Sequence, residues 1–216
     1  MEIVTYLIDL FLHLDKHLAE LISQYGTWTY AILFLVIFCE TGLVIAPFLP
    51  GDSLLFATGA LAATGALDPN IAFALMALAS VLGDNTNYTI GRFIGPKAFS
   101  GNSHFLKREY LDKTQQFYDK YGGRTIIVGR FLPIIRTFAP FVAGVAKMDR
   151  RKYVPFTIIG AIFWVGLFVY AGYFFGSLPF VKNNFSIVIV VIILISAVPA
   201  VFEIIRQRRN RNKQTR

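Results

Sequence analysis

The sequence has little charge and almost no cysteine, and each shortage excludes a class of protein. Charged residues account for 16% of the 216 residues, whereas hydrophobic residues account for 55%. Because a soluble domain usually contains about 25% charged residues, this composition indicates an integral membrane protein. The single cysteine, Cys39, lies within an apolar run. A disulfide framework is therefore excluded, and Cys39 is interpreted as a small packing side chain.

Basic residues are almost absent from the first part of the chain. Lys16 is the one Lys or Arg residue before Arg92, although the net charge is +8. Basic residues beside apolar spans are typical of the cytoplasmic face of a membrane protein. We therefore expect a basic cytoplasmic tail over residues 206–216 and contacts with anionic lipid headgroups. No nucleic-acid recognition motif accompanies the charge, which argues against nucleic-acid binding.

Apolar and polar segments alternate along the chain, as in a multi-pass membrane protein. Residues 71–94, 153–175 and 185–205 are each long and apolar enough to span a bilayer as a helix. Residues 1–24 mix apolar and charged positions, which indicates an amphipathic helix at the membrane interface. Residues 96–124 carry mixed charges and indicate a cytoplasmic segment with an amphipathic helix.

Two further apolar stretches, 28–67 and 125–147, are interrupted by helix-breaking residues. A proline lacks the N–H of an ordinary residue and clashes with the preceding turn, so neither stretch can be one continuous helix. Gly51 and the prolines are interpreted as structural, because they let a hairpin break and pack closely. The predicted hairpin breaks are Pro47, Pro50 and Gly51 in the first stretch and Pro133 and Pro140 in the second.

The charge pattern predicts how the broken stretches lie in the membrane. Residues 96–124 and 150–152 are both basic and are expected on the cytoplasmic side. Residues 125–147 must then enter and leave on that side, as a re-entrant hairpin, whereas residues 28–67 form a second hairpin from the opposite face. Broken hairpins from opposite faces, each followed by a full span, are typical of an inverted-repeat transporter whose site lies near the midplane.

Three groups of residues resemble the signatures of the DedA family of membrane proteins, also known for its VTT or SNARE-associated domain. The similarity covers roughly residues 28–176, and Ile159 departs from it where many members have asparagine. The matching residues are Glu40-Thr41-Gly42 with Pro47 to Asp52, then Gly83-Asp84-Asn85 with Tyr88, Gly91 and Arg92, and then Gly129-Arg130-Phe131 with Pro133, Arg136-Thr137, Pro140, Gly144, Met148, Gly160 and Trp164.

The resemblance implies an all-α protein of the bacterial inner membrane. Its DedA-like membrane domain would cover residues 25–176, with an inverted repeat formed by 28–94 and 125–176, and a C-terminal transmembrane helix would follow over 177–205. The family is linked to polyprenyl-phosphate recycling, lipid translocation and the proton motive force, and related eukaryotic domains scramble phospholipids.

Four ionisable residues lie in the broken stretches, namely Glu40, Asp52, Arg130 and Arg136. Each costs about 2.5–3.5 kcal/mol on insertion scales, so the carboxylates and guanidiniums are expected to pair. Ion pairs that merely pin the hairpins together are one interpretation. A functional site is favoured, because arginines bind phosphate bidentately and carboxyl groups can carry protons.

These roles define a hypothesis for lipid transport. Arg130 and Arg136 are predicted to bind a lipid phosphate, and protonation of Glu40 or Asp52 would release the arginines for that ligand. Proton movement would thereby couple to phosphate movement. Sequence leaves open which lipid moves, the direction of transport, and whether the chain forms a homo-oligomer.

Asp84 and Tyr88 are candidates for lining the cavity, since they lie one helical turn apart. An interhelical hydrogen bond is the alternative interpretation. The histidines, His13, His17 and His104, lie outside the broken stretches and supply no third ligand. We therefore expect neither a metal site nor a cofactor.

Other functions are considered beside a proton-dependent lipid flippase. A proton-coupled exporter of small cations or drugs would suit the acids, but the arginines would repel cations. A lipid phosphatase needs a nucleophile and a base, and Ser53 and Thr137 have no obvious base beyond Asp52. The chain is therefore not expected to be an enzyme. A non-transporting partner that maintains the envelope would need the site charges only for folding.

Overall fold

The computed structural model describes residues 14–43, 51–98, 123–130 and 133–192, and all regular secondary structure within these ranges is helical. The all-α prediction is therefore confirmed for this part of the chain. A short 3-10 turn, Gly26–Trp28, joins the first two helices. The helices are α1 (Leu14–Tyr25), α2 (Thr29–Gly42), α3 (Gly51–Ala62), α4 (Pro69–Ala98), α5 (Arg124–Gly129), α6 (Pro133–Val145), α7 (Arg150–Phe175) and α8 (Pro179–Asn183), after which residues 185–192 are again helical.

Two helical stretches are long and apolar enough to cross a membrane, His17–Gly42 and Arg150–Phe175. The first combines most of α1 with α2, so the predicted amphipathic helix continues into an apolar one with only a 3-10 turn between them. Helix α4 is longer, at 30 residues. Its apolar character is diluted by Asp84, Asn85 and Asn87.

Helices α2 and α3 form the first hairpin. The hydroxyl of Tyr30, at the start of α2, accepts a hydrogen bond of 2.7 Å from the backbone N–H of Asp68, which follows α3. At the other end of the pair, the Glu40 carboxylate accepts a hydrogen bond of 3.2 Å from the backbone N–H of Gly51. The chain therefore travels along α2, turns, and returns along α3 to the level at which it began.

Helices α5 and α6 form the second hairpin, which approaches from the other end of the bundle. Gly123, just before α5, lies against the ring of Phe156, close to the start of α7. Gly144, near the end of α6, lies against Tyr88, whose ring stacks on that of Tyr153 with centroids 4.4 Å apart. The two ends of this hairpin thus share one level of the bundle.

Helix α3 packs on α7, the long helix of the other half, through closely approaching backbones. A Cβ added to Gly59 would overlap the carbonyl oxygen of Val169, and one added to Gly172 would overlap that of Phe56. Small residues at such crossings let helices approach closely, as is common in membrane proteins.

Helix α6 packs on α4 in the same way. A Cβ added to Gly144 would overlap the carbonyl oxygen of Tyr88, and one added to Gly91 would overlap that of Phe141. The spacing of glycines and carbonyls is the same as in the α3–α7 crossing. Each hairpin thus packs its second arm against the long helix of the opposite half.

We expect Gly59→Ala and Gly144→Ala each to lower the free energy of unfolding by about 1–3 kcal/mol, because the added methyl meets backbone that cannot rotate away. Thermal unfolding of the detergent-purified protein measures this. Gly166→Ala is the matched control, since its Cβ would meet only the side chain of Phe73 at 3.4 Å. Equal unfolding temperatures for all three variants would contradict the close backbone packing.

Large apolar side chains cover the outer surface of the bundle. An apolar surface of this kind is incompatible with water and fits lipid tails. Ile159 belongs to this surface, being 44% exposed, whereas the next residue, Gly160, lies beside Arg130. The departure from asparagine at position 159 therefore changes the outer surface. Other exposed apolar residues on the surface of the bundle include Leu35, Leu78, Phe93, Phe163, Leu167 and Phe174.

Some predicted features fall outside the described residues. They include the start of the amphipathic helix, the hairpin breaks Pro47 and Pro50, most of the segment 96–124, the end of the helix predicted over 185–205, and the basic tail. Gly51 is the first residue of α3, and Pro133 is the first residue of α6. Pro140 lies inside α6, so the second hairpin breaks just before Pro133.

Candidate functional site

All the charged side chains that are buried in the described part of the chain lie where the two hairpins meet. These side chains come from α2, the start of α3, α4, the residue that follows α5, and α6. We call this group the buried ion cluster. Its members are Glu40, Asp52, Asp84, Arg130 and Arg136.

Arg136 joins the two hairpins through two carboxylates. Its Nη1 donates a hydrogen bond of 2.6 Å to Oδ1 of Asp52, and its Nη2 forms an ion pair with Oε1 of Glu40. The same Glu40 carboxylate also accepts from the backbone N–H of Gly51 and so caps the start of α3. A single guanidinium fork thus links α6 to both arms of the first hairpin.

Trp164 of α7 closes one side of this arrangement. Its indole N–H donates a hydrogen bond of 2.8 Å to Oδ1 of Asp52. The guanidinium carbon of Arg136 lies 4.5 Å from the Trp164 ring centroid, and that of Arg130 lies 5.8 Å away. The ring is therefore placed for cation–π attraction to both arginines, while its N–H orients a carboxylate.

Arg130 makes a separate pair with Asp84 of α4. Its Nη2 is in contact with Oδ2 of Asp84, and its Nη1 donates a hydrogen bond of 2.5 Å to the hydroxyl of Ser80. Tyr153 of α7 in turn donates to the backbone carbonyl of Asp84, at 3.0 Å. Asp84, predicted to line a cavity or to form an interhelical hydrogen bond, is thus a direct ion-pair partner of Arg130.

Asn87 connects the hairpins at the level of the backbone. Its side-chain amide donates to the carbonyl oxygen of Thr41, at 3.1 Å, and to that of Thr137, at 2.8 Å. One carbonyl lies near the end of α2 and the other in α6. A single fully buried amide therefore bridges both hairpins from α4.

Tyr88 lies apart from the ion cluster. It is buried, its hydroxyl donates to the carbonyl oxygen of Met148, and Arg92 donates to that hydroxyl at 2.8 Å. The contact with Met148 joins α4 to the connection between α6 and α7, whereas Arg92 lies one turn along the same helix as Tyr88. Tyr88 does line a cavity, an open groove at the end of α4, but that groove is distinct from the site where the hairpins meet.

The buried ion cluster contains one more carboxyl group than guanidinium group. If all were ionised, the cluster would carry a net negative charge in a low-dielectric region, which is unfavourable. Glu40 Oε2 and Asp84 Oδ1 are buried and have no hydrogen-bond partner among the described residues. The cluster therefore has both the charge balance and the vacant acceptor atoms to take up a proton.

No group of three or more His, Cys, Asp or Glu side chains is arranged for a metal ion within the described residues. His17, the one histidine in those ranges, lies on α1 with its Nδ1 3.7 Å from a carboxylate oxygen of Glu20.

Comparison with known proteins shows the family. The VTT domain model matches residues 49–174, which include α3, the second hairpin and the long helices α4 and α7 almost to the end of α7. The chain belongs to the DedA family of VTT-domain membrane proteins, as the signature residues implied.

Known membrane proteins align with most of the length of this chain. Protein DedA of Escherichia coli strain K12 is 57% identical over 212 residues, which cover 97% of either chain. An uncharacterized membrane protein of Mycobacterium tuberculosis strain H37Rv is 42% identical over 86% of this chain and 84% of its own. Inner membrane protein YghB of Escherichia coli K12 is 33% identical, covering 79% and 75%. No solved structure matches. Together with the apolar helices, these relatives support a location in a membrane.

Proposed function

We propose that this protein moves a phosphate-bearing lipid, such as a polyprenyl phosphate or a phospholipid, across the inner membrane with the help of proton uptake. The observation that supports this most is Arg136, whose guanidinium is shared by two carboxylates from the opposite hairpin. A lipid phosphate is the kind of ligand that competes for such a fork. The lipid would support maintenance of the cell envelope.

The proposed membrane topology follows from the level of the hairpin ends. The first hairpin has its ends near Tyr30 and Asp68, and the second near Tyr153 and Phe156. We place these ends at opposite faces, so that the hairpins are re-entrant and meet in the middle. Because Arg150, Arg151 and Lys152 begin α7, its start is assigned to the cytoplasm, and the C-terminal tail is assigned there as well.

The proposed cycle exchanges one set of arginine partners for another. In the closed arrangement the cluster is sealed, since Arg130 is 2% and Arg136 7% exposed. Protonation of Glu40 or Asp52 would weaken the hold on Arg136, and separation of the hairpins would then admit the phosphate. Arg130 would bind the same phosphate after leaving Asp84. Loss of the proton on the other side would restore the ion pairs and expel the lipid.

Transport without a covalent step requires neither a cofactor nor an enzymatic nucleophile. The hydroxyl of Ser53 is buried and has no hydrogen-bond partner among the described residues, and Thr137 lies in the hairpin interface through its backbone contact with Asn87. The Ser53 hydroxyl therefore has no base in contact with it among the described residues. A lipid phosphatase is therefore the weaker proposal.

A proton-coupled exporter of small cations or drugs is the second candidate, and one observation favours it. Each arginine is already paired, and one carboxyl group remains in surplus. A cation could therefore take the place of a proton at Glu40 or Asp52. The repulsion expected from the arginines is reduced by this pairing.

The decisive experiment measures translocation of labelled lipids in proteoliposomes, with and without a pH gradient. Wild-type protein is expected to move a lipid phosphate faster when the gradient is applied. Arg136→Lys and Arg130→Lys keep the charge but lose the planar fork, so each is expected to reduce the rate by at least tenfold. Circular dichroism and unfolding temperature verify that the variants are folded.

Lys152→Ala is the control, because Lys152 is an exposed residue far from the cluster. Full activity of folded Arg136→Lys and Arg130→Lys would contradict phosphate binding by the arginines. Gradient-driven movement of an organic cation, with none for any lipid phosphate, would favour the exporter. Lipid translocation at the same rate with and without the pH gradient would identify a scramblase.

A further inference from the structure

A basic groove lies at the end of the bundle where α4 ends and α7 begins. It encloses about 1010 Å³ and is open to the outside. Four cationic side chains line it: Arg92, Lys147, Arg150 and Arg151. The acidic residue in the lining, Asp149, already accepts a hydrogen bond of 2.9 Å from the backbone N–H of Arg151. The groove therefore has a clear excess of positive charge.

The basic groove continues into an apolar channel along the outer side of α4. This second cavity, of about 500 Å³, shares Thr89, Phe93 and Arg150 with the first. The wall of this second cavity extends to Leu82. The two cavities together therefore follow about 16 Å of α4, from the end that carries Arg92 back to Leu82. A charged pocket joined to an apolar channel has the shape of an amphiphile, with a place for a head and a place for a tail.

Lys147 adds a second, independent feature. Its φ of 52° is the one positive φ of a non-glycine residue in the described ranges. Such a backbone costs free energy for any residue with a Cβ, and glycine would adopt it with less strain. A lysine at this strained turn between α6 and α7 places an ammonium group in the lining of the groove. The same turn caps α6, since the backbone N–H of Met148 donates to the carbonyl of Ala143 at 3.0 Å and that of Lys147 to the carbonyl of Gly144 at 2.9 Å, so the cap fixes Lys147 at the groove.

We infer that the basic groove and its apolar channel bind one anionic phospholipid, with the phosphodiester at Arg92, Lys147, Arg150 and Arg151 and an acyl chain along α4. This site is separate from the buried ion cluster and does not depend on the proposed transport. An anionic phospholipid fits better than a free phosphate, because a free phosphate would leave the channel between Leu82 and Phe93 unused. The lipid would belong to the leaflet at the basic end of the bundle.

Native mass spectrometry of the full-length protein in a neutral detergent tests this inference. The probes are dioleoyl phosphatidylglycerol, dioleoyl phosphatidylcholine with the same tails, and glycerol 3-phosphate as the head alone. We expect phosphatidylglycerol to bind more tightly than phosphatidylcholine. Each of Lys147→Gly and Arg150→Ala should weaken phosphatidylglycerol binding about fivefold, as the loss of one cation near an anionic lipid predicts.

The matched control is Lys152→Ala, which removes an exposed cation beside Arg151 that does not line the groove. Its affinity should equal that of wild type. Lys147→Gly should also keep or raise the unfolding temperature, because it relieves the positive φ, so weaker binding could not be attributed to unfolding. Unchanged affinity in both groove variants would overturn the inference. Equal binding of the two lipids, or glycerol 3-phosphate binding as tightly as phosphatidylglycerol, would also overturn it.

Discussion

Arg136→Ala should lower the free energy of unfolding by about 3–5 kcal/mol, the largest stability effect expected in this protein. Removing one partner of a buried ion pair leaves an uncompensated charge in a low-dielectric region. Here two carboxylates, those of Glu40 and Asp52, lose the same guanidinium, and Trp164 loses its cation contact. Thermal unfolding in detergent and the yield of folded protein from membranes both measure the effect.

Two further variants test whether the loss of stability comes from the unpaired buried charges. Arg124→Ala removes an arginine of the same hairpin that is exposed, and it should change stability by less than about 0.5 kcal/mol. The neutral triple variant, Glu40→Gln with Asp52→Asn and Arg136→Met, removes all three charges and should recover most of the stability. An Arg136→Ala protein as stable as Arg124→Ala would show that the hairpins are held by other contacts.

Glu40→Gln should abolish the stimulation of transport by a pH gradient while leaving the protein folded and able to bind lipid phosphate. The substitution preserves the shape of the side chain and removes the surplus carboxyl group of the buried ion cluster. Asp52 then pairs with Arg136, and Asp84 with Arg130, so no net charge remains for a proton to neutralise. Translocation measured over a series of imposed pH gradients should give a flat profile.

The control is Glu20→Gln, which removes an exposed carboxyl group on α1. Its profile should follow that of wild type. If transport by the Glu40→Gln protein still responds to the pH gradient, Glu40 is not the site of proton uptake. In that case Asp52→Asn is the variant to measure next, since the two carboxylates share one arginine.

Much of the fold could be predicted because its signals are local. Prolines interrupt helices wherever they fall, and basic residues mark one face of a membrane protein. These two rules were enough to predict that the helices break within 28–67 and 125–147, and the described residues contain a helix on either side of each break. The inverted orientation of the halves in the membrane follows from loop charge alone and stays a prediction.

The partners within the site could be predicted only in part. Sequence located the ionisable side chains Glu40, Asp52, Arg130 and Arg136, since charges within apolar stretches are costly and need partners. It did not show which acid meets which arginine, because this depends on how far each hairpin enters the bundle. The same rule applied to Asp84, in the middle of a spanning segment, would have indicated that its carboxylate needs a cationic partner.

The roles of other contributors had no sequence signal. Trp164 belongs to the family signature, but its contact with Asp52 becomes visible only when α7 is placed beside α3. The contacts of Asn87 likewise become visible only when both hairpins reach it. Gly51 was read as a hairpin break, yet a Cβ at this position would overlap the Glu40 carboxylate. Its lack of a side chain therefore also makes room for the site itself.

The reciprocal glycine contacts have a consequence for biogenesis. Because α3 is matched to α7, α3 has its complementary backbone surface only after the second half of the chain has been synthesised. Helix α6, by contrast, is matched to α4, which precedes it in the chain. The protein thus resembles two subunits that have exchanged arms within one polypeptide, and an insertion error in either half leaves the other without a complement.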